Sequence, residues 1–575
     1  MCREALFLKL SKLGYSGKIF RTLKHMYQNS TGQIKISGHV SQKFDIRKGT
    51  EQGHPLSPDL FKIYIRDLSD DLKQGNCPKL IDQIISHLLW ADDLILLALD
   101  PITLQHQLDV LMNFCNEWGV EINVGKTKLI RFNSKFDLGP QQVFKIGNRH
   151  LEEVESYCYL GIEIHKSGTF TLARSELKKK ALRALYGLKS TVNKSKLSFR
   201  SLTTLFDSLI KPIALYGAPI VTPFMSVLKH IVKGAAGDTS TLSRSSLPKK
   251  LSLTNCEKVH LHFLKWALGV NRKASNVGVW GESGRYPLTY ESINLTLKYF
   301  NRLKEMDENT LVKLAFMEQE NLKLDWYKGI EPILKIDPCF TADHVTANRN
   351  QKPANSGNID SQGNSHPRQQ TRQKEDFLLH NGFRKRIPPQ TAKPAMSKRF
   401  TSHVIMKSLK NNFRETWLSE IQKSTKLEFY CTVKNNFCKE QYLDNVQNYF
   451  DRVSVTRLRI SAHRLEIELG RRSKLPREER TCKYCHIKDS QVTTESEMHF
   501  LENCHAYRSP REKFISKIND IINNPEHSIS SVIHAFGLTH SQEEIQKQFN
   551  RLLARFISSS FRKREKFLTS LNENS

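Results

Sequence analysis

Residues 85–99 read ISHLLWADDLILLAL and place two adjacent carboxylates, Asp92 and Asp93, between two apolar runs. The short apolar runs predict two buried strands joined by a tight acidic turn. Ionised carboxylates beside apolar strands are costly unless a cation or hydrogen-bond donors compensate. A divalent cation would do so, because Mg²⁺ prefers carboxylate and phosphate oxygens. The alternative is a solvent-exposed hairpin tip with two acidic turn residues, and this stretch alone does not decide between them.

Three further motifs surround the acidic turn in a fixed order between residues 49 and 164. GTEQGHPLSPDLFKIYIRDL covers residues 49–68, GKTKLIRF residues 125–132, and YCYLGIEI residues 157–164. The first motif ends in a helical pattern, and the other two predict short strands. Between the acidic turn and GKTKLIRF, the stretch TLQHQLDVLMNFCNEWGV predicts a helix that stops at Gly119.

This ordered series resembles the reverse transcriptases of non-LTR (LINE-type) retrotransposons. In that family a Gln-Gly-x-x-Leu-Ser-Pro segment lies against the template and incoming nucleotide, and residues 52–58 match it. The aromatic-Ala-Asp-Asp turn of the family matches residues 90–93, with Trp90 where Tyr or Phe is more usual. The Gly-Lys-Thr/Ser-Lys segment and the Tyr-Leu-Gly turn match residues 125–128 and 159–161.

The resemblance implies an α+β fold with a partial right-hand polymerase palm over residues 1–165 and a helical thumb-like region over residues 166–335. A stretch rich in Asn, Gln, Ser, Gly and Pro predicts a disordered linker over residues 340–394. Helical patterning returns over residues 395–575, which we expect to form a C-terminal domain with a zinc knuckle at residues 482–504.

The implied reaction is RNA-templated addition of deoxynucleotides to a primer 3′ hydroxyl, with two metal ions. We expect Asp92 to ligate Mg²⁺ (or Mn²⁺) directly and Asp93 to support it. The other site residues carried over by the resemblance line the path of the substrates: Gln52 and Gly53 for nucleotide and template, Lys126 or Lys128 for the triphosphate, and Tyr159, Leu160 and Gly161 for the primer. The alternative for the lysines is solvated basic surface, and for the Tyr-Leu-Gly turn an ordinary hairpin.

The resemblance also implies an aspartate on an earlier strand that bridges the two metals. CREALFLKL, at residues 2–10, matches the helix that follows that strand, so the strand has no counterpart in this sequence. Asp45, Asp59 and Asp67 lie on segments that are not expected to pair beside the acidic turn. We therefore expect a truncated copy or a partial gene model. The second interpretation is a catalytically inactive protein that binds nucleic acid.

Charge favours a polyanion partner for either interpretation. Lys and Arg total 88 against 58 acids, a formal charge of +30, although a basic, well-solvated surface would also account for this excess. The partners implied by the resemblance are an RNA template, a DNA primer or target, and deoxynucleotide triphosphates. No apolar run approaches the roughly 20 residues of a membrane span, and MCREALFLKL is not typical of a signal peptide. We expect an intracellular protein without membrane contact.

A second candidate site lies near the other end of the chain. Cys482 and Cys485 form a Cys-x-x-Cys pair, and His499 and Cys504 form a second pair further along the chain. Four such ligands suit a tetrahedral Zn²⁺. His486 and His505 lie directly beside ligand positions, but they complete the two pairs less well. The alternative is four unrelated thiols and imidazoles in a helical domain.

Overall fold

The computed structural model describes residues 1–51, 53–132, 143–235, 247–336, 402–522, 530–537 and 542–573. The linker predicted at 340–394 lies outside the described residues, as does Gln52. Helices dominate, and the strands are few and short. Of the α+β expectation, the presence of both helices and strands is confirmed, with helices the larger part; the polymerase palm stays a prediction.

Short helices and paired strands alternate from the start of the chain to His165. The helices are α1 (Arg3–Lys12), α2 (Gly17–Gln28), α3 (Ser57–Ile65), α4 (Leu68–Asp71) and α5 (Pro101–Trp118). The strands are β1 (Thr31–Gly32), β2 (Lys35–Ile36), β3 (His39–Val40), β4 (Phe44–Asp45), β5 (Lys79–Leu80), β6 (Gln83–Ile84), β7 (His87–Trp90), β8 (Asp93–Leu96), β9 (Lys128–Leu129), β10 (Lys145–Ile146), β11 (Arg149–His150), β12 (Glu152–Glu153), β13 (Ser156–Tyr159) and β14 (Ile162–His165).

Beyond His165 the described chain is helical. The helices before the predicted linker are α6 (Thr171–Thr191), α7 (Phe199–Leu209), α8 (Lys211–Ala214), α9 (Ala218–Val221), α10 (Leu228–Ala235), α11 (Leu247–Leu253), α12 (Asn255–Ala267), α13 (Asn276–Ser283), α14 (Leu288–Lys304), α15 (Leu311–Asn321) and α16 (Asp325–Leu334). After it come α17 (Ser402–Lys423), α18 (Glu428–Val433), α19 (Tyr442–Asn445), α20 (Tyr449–Arg459), α21 (Glu466–Arg472), α22 (Lys483–Asp489), α23 (Arg508–Ile522), α24 (Val532–Gly537) and α25 (Glu543–Glu573).

Helix α5 shows how local sequence sets an element's ends. The carboxylate of Asp100 accepts a hydrogen bond from the Thr103 amide at 2.8 Å, and Pro101 occupies the first turn. Both features favour a helix start, because the first amides lack partners within the helix. The helix ends as predicted at Gly119, whose φ of +64° lies in the left-handed region.

Among the described residues, strands pair only in twos. Six of the seven pairs are antiparallel, and β9 with β12 is parallel. The hairpin of β7 and β8 carries the acidic turn, and the hairpin of β13 and β14 carries the Tyr-Leu-Gly turn. A continuous palm sheet is therefore not formed by the described strands.

Three small clusters of buried side chains support the region from α1 to β14. The largest joins α1, α2 and α3 through Leu6, Tyr27, Leu60 and Tyr64, and Leu89 of β7 packs against it. Phe114 of α5 anchors the second, against which Leu94 and Leu96 of β8 pack. The acidic hairpin is thus held on helices α1, α3 and α5.

One continuous core fills the rest of the described chain, and it spans both predicted helical segments. Phe413 of α17 packs with its ring centroid 5.5 Å from that of Tyr290 of α14, and the Trp417 indole donates to the Val277 carbonyl at 2.9 Å. Arg459 of α20 meets Glu282 of α13 at 2.7 Å. The described residues of 171–336 and 402–573 therefore share a single interior.

No single helix in the described part of the chain combines the length and apolar composition that crossing a bilayer requires. The pair Phe199–Leu209 and Lys211–Val221, bent by 45°, reaches that length and composition jointly.

Candidate functional site

The acidic turn is a two-residue connection between β7 and β8. Trp90 pairs with Asp93 at the end of the hairpin, so Ala91 and Asp92 form the loop. Ala91 adopts a φ of +54°, a conformation that costs a residue with a side chain on the order of 1 kcal/mol. Both carboxylates are exposed. The turn therefore presents two adjacent carboxylates to solvent.

Strands β7 and β8, which flank the turn, are half-buried, whereas the sequence predicted that they would be buried. The reason lies in the pairing: in the described chain β7 pairs only with β8, so no further strand covers either outer edge. Trp90 is 66% exposed beside the carboxylates. Unpaired edges of an apolar hairpin are natural positions for another strand.

The Tyr-Leu-Gly turn places Tyr159 within electrostatic reach of the acidic turn. Leu160 and Gly161 connect β13 and β14, and both have positive φ, +46° and +81°. Burial, and secondarily the negative charge of Asp93, raises the pKa of Tyr159. The structure therefore brings Tyr159 within electrostatic reach of Asp93, although the two lie far apart in sequence.

Two residues that the sequence analysis did not single out hold this turn in place. The hydroxyl of Tyr216 donates to the Leu160 carbonyl at 2.8 Å, and Lys180 approaches the Gly161 carbonyl at 3.5 Å. A side chain on Gly161 would meet the Tyr216 ring at 3.1 Å. Helix α6 and the segment between α8 and α9 thus fix the position of the turn. No pattern within a short stretch of the sequence predicts these contacts.

The remaining predicted substrate residues have different surroundings. Lys128 on β9 forms an ion pair with Glu152 on β12 at 2.6 Å, whereas Lys126 is exposed in the preceding turn. Gly53 is exposed and has a φ of +87°, which favours glycine. Lys126 is therefore the freer of the two lysines for an anionic ligand.

The other candidate acids are engaged elsewhere. Asp67 pairs with Lys9 at 2.7 Å, Asp59 with Lys62 at 3.1 Å, and Asp45 approaches Arg47 at 3.5 Å. In the described chain, no third His, Cys, Asp or Glu side chain joins Asp92 and Asp93 in a group close enough to share an ion. The turn thus supplies two carboxylates.

Comparison with known families covers the part of the chain that holds both turns. Residues 4–164 match the family model described as reverse transcriptase (RNA-dependent DNA polymerase). The Pol polyprotein from the type-2 retrotransposable element R2DM of Drosophila melanogaster is 27% identical over 25% of this chain and 14% of its own length. The RNA-directed DNA polymerase from the mobile element jockey of the same organism is 22% identical over 42% of this chain and 26% of its own length.

Residues 4–164 are a reverse transcriptase domain of the non-LTR type.

A further relative is a putative uncharacterized transposon-derived protein of Caenorhabditis elegans, 30% identical over 31% of this chain. The match covers 61% of that relative, and smaller shares of the two polymerase relatives. The chain thus spans less than two thirds of the length of these relatives. The acidic hairpin and the Tyr-Leu-Gly turn both lie inside the reverse transcriptase domain.

Outside the reverse transcriptase domain, the structure brings the four predicted zinc ligands together. The donor atoms of Cys482, Cys485, His499 and Cys504 all lie within 4.8 Å of one another, and all four side chains are buried. Cys485 Sγ lies 3.7 Å from Cys504 Sγ and 3.5 Å from His499 Nε2. Cys482 Sγ lies 3.9 Å from Cys504 Sγ. The hydrogen bond from Cys504 lowers the pKa of Cys482 to about 3, and the same contact with Cys482 raises the pKa of Cys504.

The local geometry distinguishes the histidine that faces the thiols from the two histidines that do not. Cys482 caps the start of α22, and its amide donates to the Thr493 carbonyl at 2.8 Å. His499 begins a short π-helical turn that leads to Cys504. His505 instead points outward to Asp489 at 3.0 Å, and His486 is exposed. His499 is therefore the imidazole that faces the three thiols.

Proposed function

We propose that this chain contributes the paired-aspartate part of the palm of an RNA-directed DNA polymerase encoded by a non-LTR retrotransposon. The observation that carries the proposal is the exposed Asp92–Asp93 turn, with Tyr159 of the Tyr-Leu-Gly motif in electrostatic reach, inside a reverse transcriptase domain. The substrates would be an RNA template, a DNA primer and deoxynucleotide triphosphates.

The two carboxylates suit one hard cation. Mg²⁺ in phosphoryl-transfer sites is commonly held by one or two carboxylates together with substrate phosphates and water. When bound, such ions activate the attacking hydroxyl and stabilise the leaving pyrophosphate. Asp92, in the loop itself, would be the direct ligand, and Asp93 at the first position of β8 would support it. Exposed Lys126 would neutralise charge on the triphosphate.

A second ion would need a further carboxylate. The described residues offer none beside the turn, while the outer edges of β7 and β8 are free of strand partners there. A strand bearing an aspartate that pairs at this edge would complete the site. We therefore propose that the chain as given binds nucleic acid and a single Mg²⁺ but does not extend a primer.

Primer extension tests this proposal directly. The purified chain, an RNA template with an annealed DNA primer, all four deoxynucleotides and Mg²⁺ or Mn²⁺ should yield no extended product. Loss of an essential catalytic group typically lowers the rate by several orders of magnitude. Robust extension that Asp92→Ala abolishes and Asp45→Ala leaves intact would show that the site is complete and refute the third-carboxylate argument.

Metal binding tests the roles of the aspartates separately. Water-proton relaxation should report Mn²⁺ bound in the presence of primer–template and a deoxynucleotide. Asp92→Asn should weaken this binding strongly, while Asp45→Asn, an exposed acid on β4, should not. Equal Mn²⁺ binding by both variants would show that the turn is not a metal site.

For the Cys/His cluster we propose a structural Zn²⁺. A tetrahedral ion with bonds of about 2.3 Å to sulfur and 2.0 Å to nitrogen places its ligand atoms roughly 3.5–3.8 Å apart. The distances of 3.5, 3.7 and 3.9 Å in the cluster fit this geometry. Four protein ligands leave no open position for substrate, which supports a structural role.

A further inference from the structure

A large basic groove lies in the carboxyl-terminal part of the molecule, away from the acidic turn. Helices α20, α23 and α25 form its walls, and its volume is about 1170 Å³. This exceeds the roughly 300–1,000 Å³ that is usual for small-molecule sites. The floor is apolar, formed by Phe514, Phe556 and Phe561. The size favours an extended ligand.

Exposed cations from several elements line the groove. Arg457 lies on α20, Arg472 on α21, and Arg464 between these helices. Lys513 and Lys517 lie on α23, and Arg555 and Arg562 lie on α25. Two acids, Asp451 and Glu565, also line it. The cations therefore outnumber the acids by seven to two, which favours an anionic ligand.

These cations are not used to neutralise the protein's own acids. None of the seven forms an ion pair with a residue in the described part of the chain. Neighbouring arginines differ: Arg471 pairs with Glu468 at 3.0 Å, and Arg564 pairs with Glu495 at 2.6 Å. On the same helices, the arginines that form internal ion pairs are thus different residues from the arginines that line the groove.

An exposed aromatic ring stands at the lip of the groove. Phe450, the second residue of α20, is 71% exposed, the largest exposed fraction among the phenylalanines the structure describes. Its ring meets that of Tyr449 edge-on, with centroids 5.5 Å apart. A solvent-exposed ring beside a basic track is the arrangement on which bases of single-stranded nucleic acids stack.

We propose that this groove binds single-stranded nucleic acid, with Phe450 stacking on a base and the seven cations contacting the phosphate backbone. Single strands fit better than duplexes, because a base stacks on a side chain only when its face is free. The proposal rests on the groove alone and does not depend on the polymerase chemistry proposed for the acidic turn.

Equilibrium binding to the full chain tests the proposal. The probes are a labelled oligouridine of about 12 nucleotides, within the site sizes of single-strand-binding folds, its DNA equivalent, and an RNA duplex of the same length. Phe450→Ala should weaken binding of both single strands roughly 5- to 100-fold, as expected for loss of one stacked base. Phe450→Tyr should restore binding, and duplex binding should change little.

Charge is tested with a matched pair of double variants. Lys513→Gln with Lys517→Gln removes two groove cations from α23, whereas Lys323→Gln with Lys328→Gln removes two exposed cations outside the groove. The groove variant should reduce the slope of log affinity against log salt by about 1.4, or 0.7 for each lost phosphate contact. The outside variant should not.

Thermal melting of each variant checks that the fold is retained. Unchanged single-strand affinity in both Phe450→Ala and the α23 double variant would overturn the assignment. Equal loss for duplex and single strand in Phe450→Ala would overturn the stacking argument and leave a groove that recognises phosphate alone. RNA and DNA are distinguished by the two single-stranded probes.

Discussion

The acidic turn and the Cys/His cluster both gather metal-ligating side chains, but they do so in opposite environments. Asp92 and Asp93 are exposed at the tip of a two-stranded hairpin. The four ligands of the Cys/His cluster are buried and mutually in contact. The Cys/His cluster gathers four potential ligands within the described chain, whereas the acidic turn presents two of the carboxylates that the proposed metal chemistry would use. Under the proposed functions, the buried ligands would stabilise their own fold, whereas the exposed pair would need further ligands from substrate.

The hydrophobic packing around the two sites also differs, and it is again more extensive around the Cys/His cluster. The region from α1 to β14 rests on small separate clusters, while the helical region from α6 to α25 shares one core in the described part of the chain. Bidentate contact of Arg564 with Glu495, both at 2.6 Å, ties the last helix to the segment between the two ligand pairs. We therefore expect perturbations of the Cys/His cluster to spread, and perturbations of the acidic hairpin to stay local.

Breaking the Cys/His cluster should have the largest effect. Cys482→Ser or chelation would remove the proposed Zn²⁺, and binding of such an ion contributes on the order of 10 kcal/mol in small zinc-dependent folds. Hydrogen exchange should rise sharply over residues 480–510 and, through the contact of Arg564 with Glu495, in α25, while the region from α1 to β14 changes little. His505→Ala, which loses only the exposed contact with Asp489, is the control. Less than about half an equivalent of zinc in folded wild-type protein would contradict the four-ligand site.

The sequence predicted this cluster because the members of each ligand pair lie close together along the chain, and their spacing alone encodes the geometry. The helix α5 and its stop at Gly119 were predictable for the same reason. Contacts between segments that lie far apart in the sequence were not predictable from it. The Tyr216 hydrogen bond to Leu160, the Lys128–Glu152 pair and the core shared across the predicted linker all depend on tertiary packing. The half-buried hairpin differed from expectation because burial needs a sheet partner.

A buried ion pair in the common core should matter next most. Arg459 and Glu282 are nearly inaccessible and meet at 2.7 Å. Arg459→Leu leaves the Glu282 carboxylate buried without this partner, which typically costs about 3–5 kcal/mol. The urea midpoint for unfolding of the helical region from α6 to α25 should fall accordingly.

The matched control is an exposed pair in the other region. Arg47→Leu breaks the contact between Arg47 and Asp45, which are 85% and 67% exposed and lie 3.5 Å apart. Exposed pairs contribute about 0–1 kcal/mol, so stability should hardly change. Similar losses in the two variants would contradict the contrast between a shared core and small separate clusters.

A smaller effect is expected at one of the contacts between the two regions. Tyr216→Phe removes the hydrogen bond to the Leu160 carbonyl, at a cost of about 0.5–1.5 kcal/mol. Because that bond crosses from the helical region to the Tyr-Leu-Gly turn, amide exchange should quicken in β13 and β14. Tyr186→Phe, another half-exposed tyrosine, should leave the exchange of these strands unchanged. Identical exchange in the two variants would show that the turn holds its position unaided.

The smallest expected effect is a loss of stability as the pH falls. This loss has the same sign in the two regions but a different size. Burial, followed by the charges of Lys189, Arg272 and Lys265, lowers the pKa of His262 in α12 to about 4. Burial, with a contribution from Lys73, also lowers the pKa of His87 in β7. A depressed histidine pKa means that the unfolded chain takes up the proton first as the pH falls. The stability contribution is thus complete above the unfolded value near 6.5 and is lost towards pH 4.

His262 is half-buried and solvent screens its neighbours, so the loss should be no more than about 1 kcal/mol. His262→Gln should flatten the stability of the helical region between pH 6.5 and 4, measured by urea unfolding at each pH. His87→Gln should act on the acidic hairpin alone, because that histidine is bonded to Ser69 and Ser86, both within the reverse transcriptase domain. His39→Gln, an exposed histidine on β3, serves as the control for both. A change in the larger region caused by His87→Gln would show that the two regions unfold together, against the local response expected of small separate clusters.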